Sequence, residues 1–315
     1  MLAVTLAVLS IVFLSHSAAA QSLKEIRVGS SNISVTNLVS FYARDKNFYE
    51  AEGFDAKMIV IKTEAAVAAM VTGELDYATF STSSIEATLK GMPLRLLAVT
   101  NLYPLQGLVV RKGISSVADL RSKKMSVSSF GGATYGAALY LLRSHGLRPK
   151  DDVVVLAGGS NPARVAALKN GVVDAALLSA PEDIRAAAEG LRILLDVGTE
   201  YRLPWGGVCA TQAKIRGNRA GTERFLRATL KATSAITDPQ NKHEVTTWLG
   251  RFFKLDERMS DEFYRRLVPS LNPGGIVERD KIKLVIDSAV ERGLTDKPLD
   301  PDAVTDFSIA KQLRF

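Results

Sequence analysis

Small hydroxyl, amide and glycine residues that could form a binding site occur together in several short loops. Residues 128–134 form the richest loop, in which two glycines lie between Ser and Thr hydroxyls. Glycines let the backbone approach a ligand closely, and hydroxyls can donate or accept hydrogen bonds. Residues 30–34, 80–83 and 158–161 have the same character. Side chains of this kind predict a site that orients a small polar molecule, although residues 128–134 also fit an ordinary strand-to-helix turn.

A charged and an aromatic residue beside these loops could add to such a site. Arg164 lies just inside a predicted helix start, where it could pair with a carboxylate or lie solvated on the first turn. Trp205, like nearby tyrosines, could stack on a ring-shaped ligand or pack at an interface. Both residues therefore remain open to a binding and a structural interpretation.

Predicted helix starts coincide with several of these loops. Ser83 and Glu86 have the spacing of a capping box, and Thr63 can cap the helix that follows it. A helix start presents unpaired backbone N–H groups and the positive end of the helix dipole. The loops are thus expected to favour anions or strong hydrogen-bond acceptors.

The residue pattern gives little support to catalysis. The three histidines are scattered and Cys209 is the only cysteine, so neither a metal-ligand spacing nor a Cys/His dyad occurs. The glycine loop contains no Gly-Lys-Ser/Thr or GxGxxG motif, and no GxSxG nucleophile turn is present. We expect a binding protein with no catalytic residue, metal or cofactor, in which Cys209 is a buried apolar side chain.

Composition and charge narrow the class of protein. A chain of 315 residues that is 47% hydrophobic and has one cysteine is neither disordered nor a disulfide-stapled mini-protein. The formal net charge is +7, and Lys and Arg form no long run. A nucleic-acid partner is therefore not expected.

The first residues have the pattern of an export signal. Residues 1–14 are almost continuously apolar, and Ala18-Ala19-Ala20 follow them, although no Lys or Arg precedes the apolar stretch. This pattern predicts a secretory signal peptide over residues 1–20. Because no cysteine stands at the cleavage point, we expect a soluble periplasmic protein without a lipid anchor.

A weak internal repeat predicts two similar lobes. Residues 65–70 and 73–78 recur as residues 163–168 and 171–176 at one constant spacing, unless Ala-rich helices resemble each other by chance. Each copy predicts strands that alternate with helices, which favours mostly parallel α/β sheets. The predicted lobes comprise residues 21–109 and 110–203, and residues 204–315 return to the first lobe. Residues 98–113 and 201–210 would cross between the lobes.

Several segments together resemble a known family. They are Phe48–Phe54, Gly73–Ala78, Leu108–Gly113, Val117–Leu120 and Ala166–Ala175. The set resembles the nitrate/sulfonate/bicarbonate and thiamine-precursor class of ABC-transporter substrate-binding proteins. The resemblance implies a two-lobed type II periplasmic fold that closes on a ligand and presents it to a membrane permease. The cysteine-rich motif of the related fungal thiamine-pyrimidine synthases is absent, which argues against that enzyme chemistry.

The resemblance also implies which residues bind the ligand. The family's ligand loops map onto Asn32, Thr63, Ser81, Thr82, Ser129, Gly131, Thr134 and Ser160. To these we add Asn101, Gly132, Arg164 and Trp205 from the same loops and crossing segments.

The expected function is therefore capture of one small solute. The solute would be an organic or inorganic anion or an aromatic or heterocyclic molecule, and the partner would be an ABC permease. Capture at one site needs only a monomer. Two alternatives remain open at this point: an exported enzyme on the same scaffold, and a ligand-loaded partner of a membrane sensor.

Overall fold

A computed structural model describes residues 22–31, 33–130 and 133–313, so the predicted signal peptide lies outside the described residues. Within them the chain forms two five-stranded mixed sheets. The strands are β1 (Lys24–Ser30), β2 (Phe54–Val60), β3 (Tyr77–Ala78), β4 (Leu94–Asn101), β5 (Gln106–Val110), β6 (Lys123–Val127), β7 (Val153–Ala157), β8 (Ala175–Ser179), β9 (Arg192–Asp196) and β10 (Gly206–Thr211). Each sheet is the centre of one lobe, and the sequence prediction of a two-lobed α/β fold is confirmed.

The strand order shows the repeat directly. The first lobe has the order β2-β1-β3-β10-β4 and the second lobe has the order β7-β6-β8-β5-β9. In each lobe the strands of the repeat occupy the first, second, third and fifth positions in the same order. The remaining strand comes from a segment that crosses between lobes, and it pairs antiparallel with its neighbours. Only the inserted strand runs against the other four, so each sheet is mixed but mostly parallel, as the sequence predicted.

The first crossing lies earlier in the chain than the predicted boundary at residue 110. All five residues of β5, from Gln106 onwards, are buried between β8 and β9 of the second lobe. The chain therefore crosses in residues 102–105. It returns through residues 201–205, after which β10 joins the first sheet.

Helices cover both sheets. They are α1 (Leu38–Asp45), α2 (Phe48–Ala51), α3 (Thr63–Thr72), α4 (Thr82–Leu89), α5 (Ala133–Ser144), α6 (Asn161–Lys169), α7 (Glu182–Ala188), α8 (Val197–Glu200), α9 (Gln212–Gly217), α10 (Arg219–Thr237), α11 (Lys242–Phe253), α12 (Glu257–Leu267), α13 (Arg279–Glu291) and α14 (Pro301–Val304). Short 3-10 turns occur at Val35–Asn37, Ala118–Leu120, Pro239–Asn241, Val268–Ser270 and Ala310–Gln312. None of the helices in the described ranges is both long enough and apolar enough to cross a membrane.

Two predicted helix caps are wrong in detail. Helix α3 begins at Thr63 itself and its capping residue is Lys62, so the Thr63 side chain does not cap it. Helix α4 begins at Thr82, and the Ser84 hydroxyl donates to the Ser81 carbonyl at 2.7 Å. Ser83 therefore lies inside the first turn of α4 and does not cap it, and Glu86 accepts a hydrogen bond from Arg292 at 2.6 Å.

The C-terminal helices pack on the first lobe. Phe225 of α10 stacks on Tyr77 of β3, with ring centroids 3.8 Å apart. Phe263 of α12 belongs to the same buried apolar cluster, which also includes Ala180 and Ile184 of the second lobe. The two lobes therefore share packed side chains where α7 contacts α12.

Candidate functional site

A cleft of about 480 Å³ lies between the two lobes. On the first-lobe side its wall includes Ser31, Phe80, Ser81 and Thr82, which follow strands β1 and β3. On the second-lobe side it includes Gln106, Ser128, Ser160 and Arg164. The carboxyl ends of parallel strands are the usual location of ligands in α/β sheets. Because both lobes have this arrangement, one cleft receives the polar loops of both.

Three helices begin at this cleft. Thr82 starts α4, Ala133 starts α5 and Asn161 starts α6, and all three residues line the cleft. Helix α6 is capped by the Ser160 hydroxyl, which accepts a hydrogen bond from the Ala163 N–H at 3.4 Å. Backbone N–H groups and helix dipoles at these starts make the local potential favourable for an anion.

Arg164 places a buried positive charge in the wall of the cleft. The residue is 3% exposed, so the alternative of a solvated first-turn arginine is wrong. Its Nε donates to the Leu177 carbonyl at 3.0 Å, and its other nitrogens donate to the Gly159 carbonyl and the Asn161 side chain. Burial lowers the pKa of the guanidinium to about 10. In the described ranges no carboxylate lies within ion-pair distance of it.

Two buried polar atoms in the cleft wall have no hydrogen-bond partner among the described residues: the Ser81 hydroxyl oxygen and Oε1 of Gln106. Ser81 is 0% exposed and Gln106 is 2% exposed. Ser81 belongs to the first lobe, whereas Gln106 begins β5 in the second. Unsatisfied buried polar atoms are rare because each costs desolvation free energy, so these two atoms call for an explanation.

The sequence analysis missed Gln106. Its Nε2 donates to the Ser179 hydroxyl at 3.0 Å, and the two residues face each other in the register of β5 and β8. The signal that could have identified it is a lone polar residue directly before the apolar run 107–110. That run was interpreted as part of a crossing segment, so its first residue was not assigned to a site.

The structure brings some of the predicted site residues together and separates others. The cleft is lined by Ser81, Thr82, Thr134, Ser160, Arg164 and Trp205. Asn32, Gly131 and Gly132 lie outside the described residues. Thr63 is on the first turn of α3, Ser129 is exposed and Asn101 is 2% exposed, and none of the three is among the lining residues.

Asn101 has a visible structural role in the crossing region. Its side-chain oxygen accepts a hydrogen bond from the Thr100 hydroxyl at 3.0 Å. Its backbone carbonyl accepts from the Trp205 N–H at 2.9 Å. Asn101 therefore connects the outgoing and returning crossing segments.

Trp205 lines the cleft and also packs against protein. Its ring meets Tyr201 edge-on, with centroids 6.2 Å apart and an interplanar angle of 84°. Tyr201 is itself 8% exposed, so it serves packing between elements. Phe80, which is 5% exposed, adds a second aromatic group to the cleft wall.

Cys209 and His145 do not line the cleft. Cys209 is 0% exposed, which confirms the predicted buried side chain, and burial raises its pKa to about 12. The thiolate needed for nucleophilic attack is thus suppressed. His145 contacts Glu200 at 3.0 Å, away from the cleft. Across the part of the chain that the structure describes, no His, Cys, Asp and Glu side chains are grouped as metal ligands.

Comparison with known proteins identifies the family. A family model described as "NMT1/THI5 like" matches residues 35–242, which is well over half of the chain. The chain belongs to the NMT1/THI5-like family. The predicted resemblance to substrate-binding proteins of this type is thereby confirmed.

One known relative aligns over most of the chain. The riboflavin-binding protein RibY of Chloroflexus aurantiacus is 24% identical over 233 residues, covering 71% of this chain. The match spans 66% of RibY, just under two thirds of its length.

Solved structures show the same fold. The periplasmic aliphatic sulphonate binding protein SsuA from Escherichia coli superposes with a TM-score of 0.73 at 21% identity, covering 90% of this chain and 92% of SsuA. The periplasmic nitrate-binding protein NrtA from Synechocystis PCC 6803 has a TM-score of 0.75 at 15% identity, covering 92% of this chain and 88% of NrtA. These likenesses confirm the two-lobed periplasmic-binding-protein fold.

Proposed function

We propose that this protein is a periplasmic solute-binding protein that captures one small molecule in its cleft and delivers it to the permease of an ABC importer. The observation that carries the proposal is a pair of residues, Ser81 and Gln106, that line one cleft from opposite lobes and each carry a buried polar atom without a partner among the described residues. The names of similar proteins, which describe binding of riboflavin, aliphatic sulphonate and nitrate, support a binding role.

The mechanism is closure of the lobes around the solute. Contacts from the first-lobe side, such as Thr82, and from the second-lobe side, such as Thr134 and Ser160, reach the same molecule only when the lobes are close. Binding therefore shifts the population towards the closed state. The closed surface, formed by both lobes, is what a permease would recognise.

We propose that the site binds its ligand and does not convert it chemically. The buried thiol of Cys209 and the absence of a histidine from the described cleft wall support a protein that returns its ligand unaltered. One cleft per chain suffices for capture, so we propose a monomer. Export directed by the predicted signal peptide over residues 1–20 would place the protein where solutes arrive.

Small-angle scattering and thermal shift test this function together. The purified protein is screened with organic anions, sulfonates, nitrate, pyrimidines and riboflavin. We expect at least one of them to raise the melting temperature and to reduce the radius of gyration, because a bound molecule joins the lobes. A panel in which nothing produces either change contradicts the proposal.

A matched pair of variants locates the binding at the cleft. Thr134→Val removes a hydroxyl that lines the cleft and should weaken binding of the active compound about tenfold. Thr72→Val changes an exposed residue of α3 outside the cleft and should leave the affinity unchanged. If Thr134→Val binds the compound as tightly as Thr72→Val does, the Thr134 hydroxyl does not contribute to binding.

A further inference from the structure

The charge of the cleft wall is not balanced by the protein. Among the described lining residues the charged side chains are Arg164 and Glu182. Glu182 forms an ion pair with Arg185, which neutralises it. Arg164 contacts only neutral acceptors, so one positive charge remains in the wall.

Arg164 also retains hydrogen-bonding capacity. A guanidinium has five N–H donors, and the described contacts of Arg164 use Nε and one donor on each terminal nitrogen. A buried cation is unfavourable unless an opposite charge accompanies it. A carboxylate or sulfonate would supply that charge and could accept two parallel hydrogen bonds.

The helix starts reinforce this preference for a negative group. Helices α4, α5 and α6 have 8, 12 and 9 residues, and each begins at a residue that lines the cleft. They point their positive ends at it from both lobes. Together with Arg164 they make the cleft electrostatically suited to an anion.

The unpartnered atoms of Ser81 and Gln106 suit a second polar group on the ligand. Gln106 is connected to the Arg164 region, because Ser179 accepts from its Nε2 at 3.0 Å and donates its backbone N–H to Asn161 at 3.2 Å. Asn161 in turn accepts from Arg164. Gln106, with its unpartnered acceptor Oε1, and Ser81, with its unpartnered hydroxyl, thus line the same cleft as Arg164, and an O–H or N–H group is the complement that both lack.

The remaining wall indicates an organic molecule. Phe80, Pro162 and Trp205 give the cleft apolar surface. Its volume of about 480 Å³ falls within the range of small-molecule pockets and far exceeds a bare inorganic ion.

Resting on the proposed function, we infer that the cleft selects an organic anion that carries a second hydrogen-bonding group. Arg164 pairs with the acidic group. Ser81 and Gln106, one from each lobe, bind the second group. This second contact spans the lobes, so it couples recognition to closure.

Matched ligands test separately whether the site needs the acidic group and whether it needs the second hydrogen-bonding group. The probes are 4-hydroxybenzoate, its neutral counterpart 4-hydroxybenzamide, benzoate, which lacks the hydroxyl, and neutral riboflavin. By calorimetry we expect 4-hydroxybenzoate to bind at least about tenfold more tightly than 4-hydroxybenzamide and several-fold more tightly than benzoate.

Failure of the inference can be distinguished from failure of the function. Tighter binding of riboflavin or the amide than of the anions overturns the inference, whereas the solute-binding function stands. No binding by any probe or by the wider solute panel overturns both.

Variants assign the two contacts to their residues. Arg164→Gln should reduce the preference for acid over amide to about one, because the charge is lost. The exposed Arg265→Gln is the matched control and should keep the wild-type preference. A folded Arg164→Gln variant that retains the preference overturns the assignment of Arg164.

Gln106→Leu tests the second contact and remains informative if Arg164→Gln fails to fold. It replaces an incompletely bonded amide with an apolar side chain of similar size, so the fold should survive. We expect the ratio of 4-hydroxybenzoate to benzoate affinity to fall to about one. An unchanged ratio contradicts the role of Gln106. Gln240→Leu, at an exposed position, is the matched control.

Discussion

Ser81 and Ser84 are neighbouring buried serines with opposite bonding. The Ser84 hydroxyl donates to the Ser81 carbonyl at 2.7 Å, whereas the Ser81 hydroxyl oxygen has no partner among the described residues. Both residues are 0% exposed. The hydrogen bond of Ser84 stabilises the fold, whereas the unpaired hydroxyl of Ser81 costs desolvation free energy. A contact between the Ser81 hydroxyl and a ligand would explain why this cost is tolerated.

Ser81→Ala should therefore leave the free energy of unfolding unchanged or raise it by about 1 kcal/mol, because an unsatisfied polar atom is removed. The same variant should bind the active solute more weakly. Urea denaturation and calorimetry on one preparation measure both effects.

Ser84→Ala is the matched control for that substitution. It removes a made hydrogen bond and should lower the free energy of unfolding by about 1 kcal/mol. Destabilisation by Ser81→Ala of the same size would show that its hydroxyl has a structural partner after all.

At the scale of elements, strand β10 determines how the returning chain fits the first lobe. Gly207 lies in this strand, and a Cβ there would come within 2.4 Å of the Ala98 carbonyl oxygen. That atom belongs to the backbone of β4, which pairs with β10 antiparallel. The close approach of the two strands therefore needs glycine at this position.

Gly207→Ala should lower the free energy of unfolding by about 2 kcal/mol or more, since the sheet must shift to admit the methyl group. Chemical denaturation followed by circular dichroism measures this loss. Gly217→Ala, at the end of α9 with nothing within 4 Å of its added Cβ, should change stability by less than about 0.5 kcal/mol. If the two variants change the free energy of unfolding by similar amounts, β10 can shift away from β4 without loss of stability.

At the scale of the whole molecule, a buried ionic contact joins the lobes. Arg266 of α12, on the first lobe, donates to Asp183 at 2.8 Å and to Asp196 at 3.1 Å, both in the second lobe. Asp183 is 0% exposed, and burial raises its pKa to about 6 although Arg266 lowers it. Removal of the arginine would raise this pKa further.

Arg266→Gln should destabilise the protein by about 3–5 kcal/mol at pH 8, because Asp183 is left as a buried carboxylate without this partner. The loss of unfolding free energy caused by Arg266→Gln should be smaller at pH 5, where Asp183 is protonated and needs no cationic partner. A carboxyl whose pKa is raised by folding holds a proton that the unfolded chain releases, so stability falls as the pH rises through that pKa.

Urea titrations at several pH values between 5 and 8 measure this difference. Arg265→Gln, an exposed neighbour paired with Asp261 at 3.1 Å, should change stability by less than about 0.5 kcal/mol at every pH. A loss for Arg266→Gln that does not grow with pH would show that Asp183 does not titrate in this range.

Local patterns in the sequence determined the repeating elements. Gly73 ends α3 with φ of 83°, and Gly171 follows α6 with φ of 70°, as their positions in the two repeats predicted. Helix caps and periodicity depend on neighbours in the chain, so they can be recognised without the fold. The same repeat predicted that polar loops of two lobes would meet, and Ser81, Thr134, Ser160 and Arg164 line one cleft.

Only the tertiary structure decided which sheet each crossing strand joins and which polar groups are left unpaired. An apolar run such as β5 fits either sheet by its residues alone, and long-range pairing with β8 and β9 places Gln106 in the cleft. The burial of Arg164 and the contact of Arg266 with Asp183 likewise depend on segments far apart in the chain. Burial and hydrogen-bond satisfaction are properties of the assembled surroundings, and the order of residues along the chain does not specify them locally.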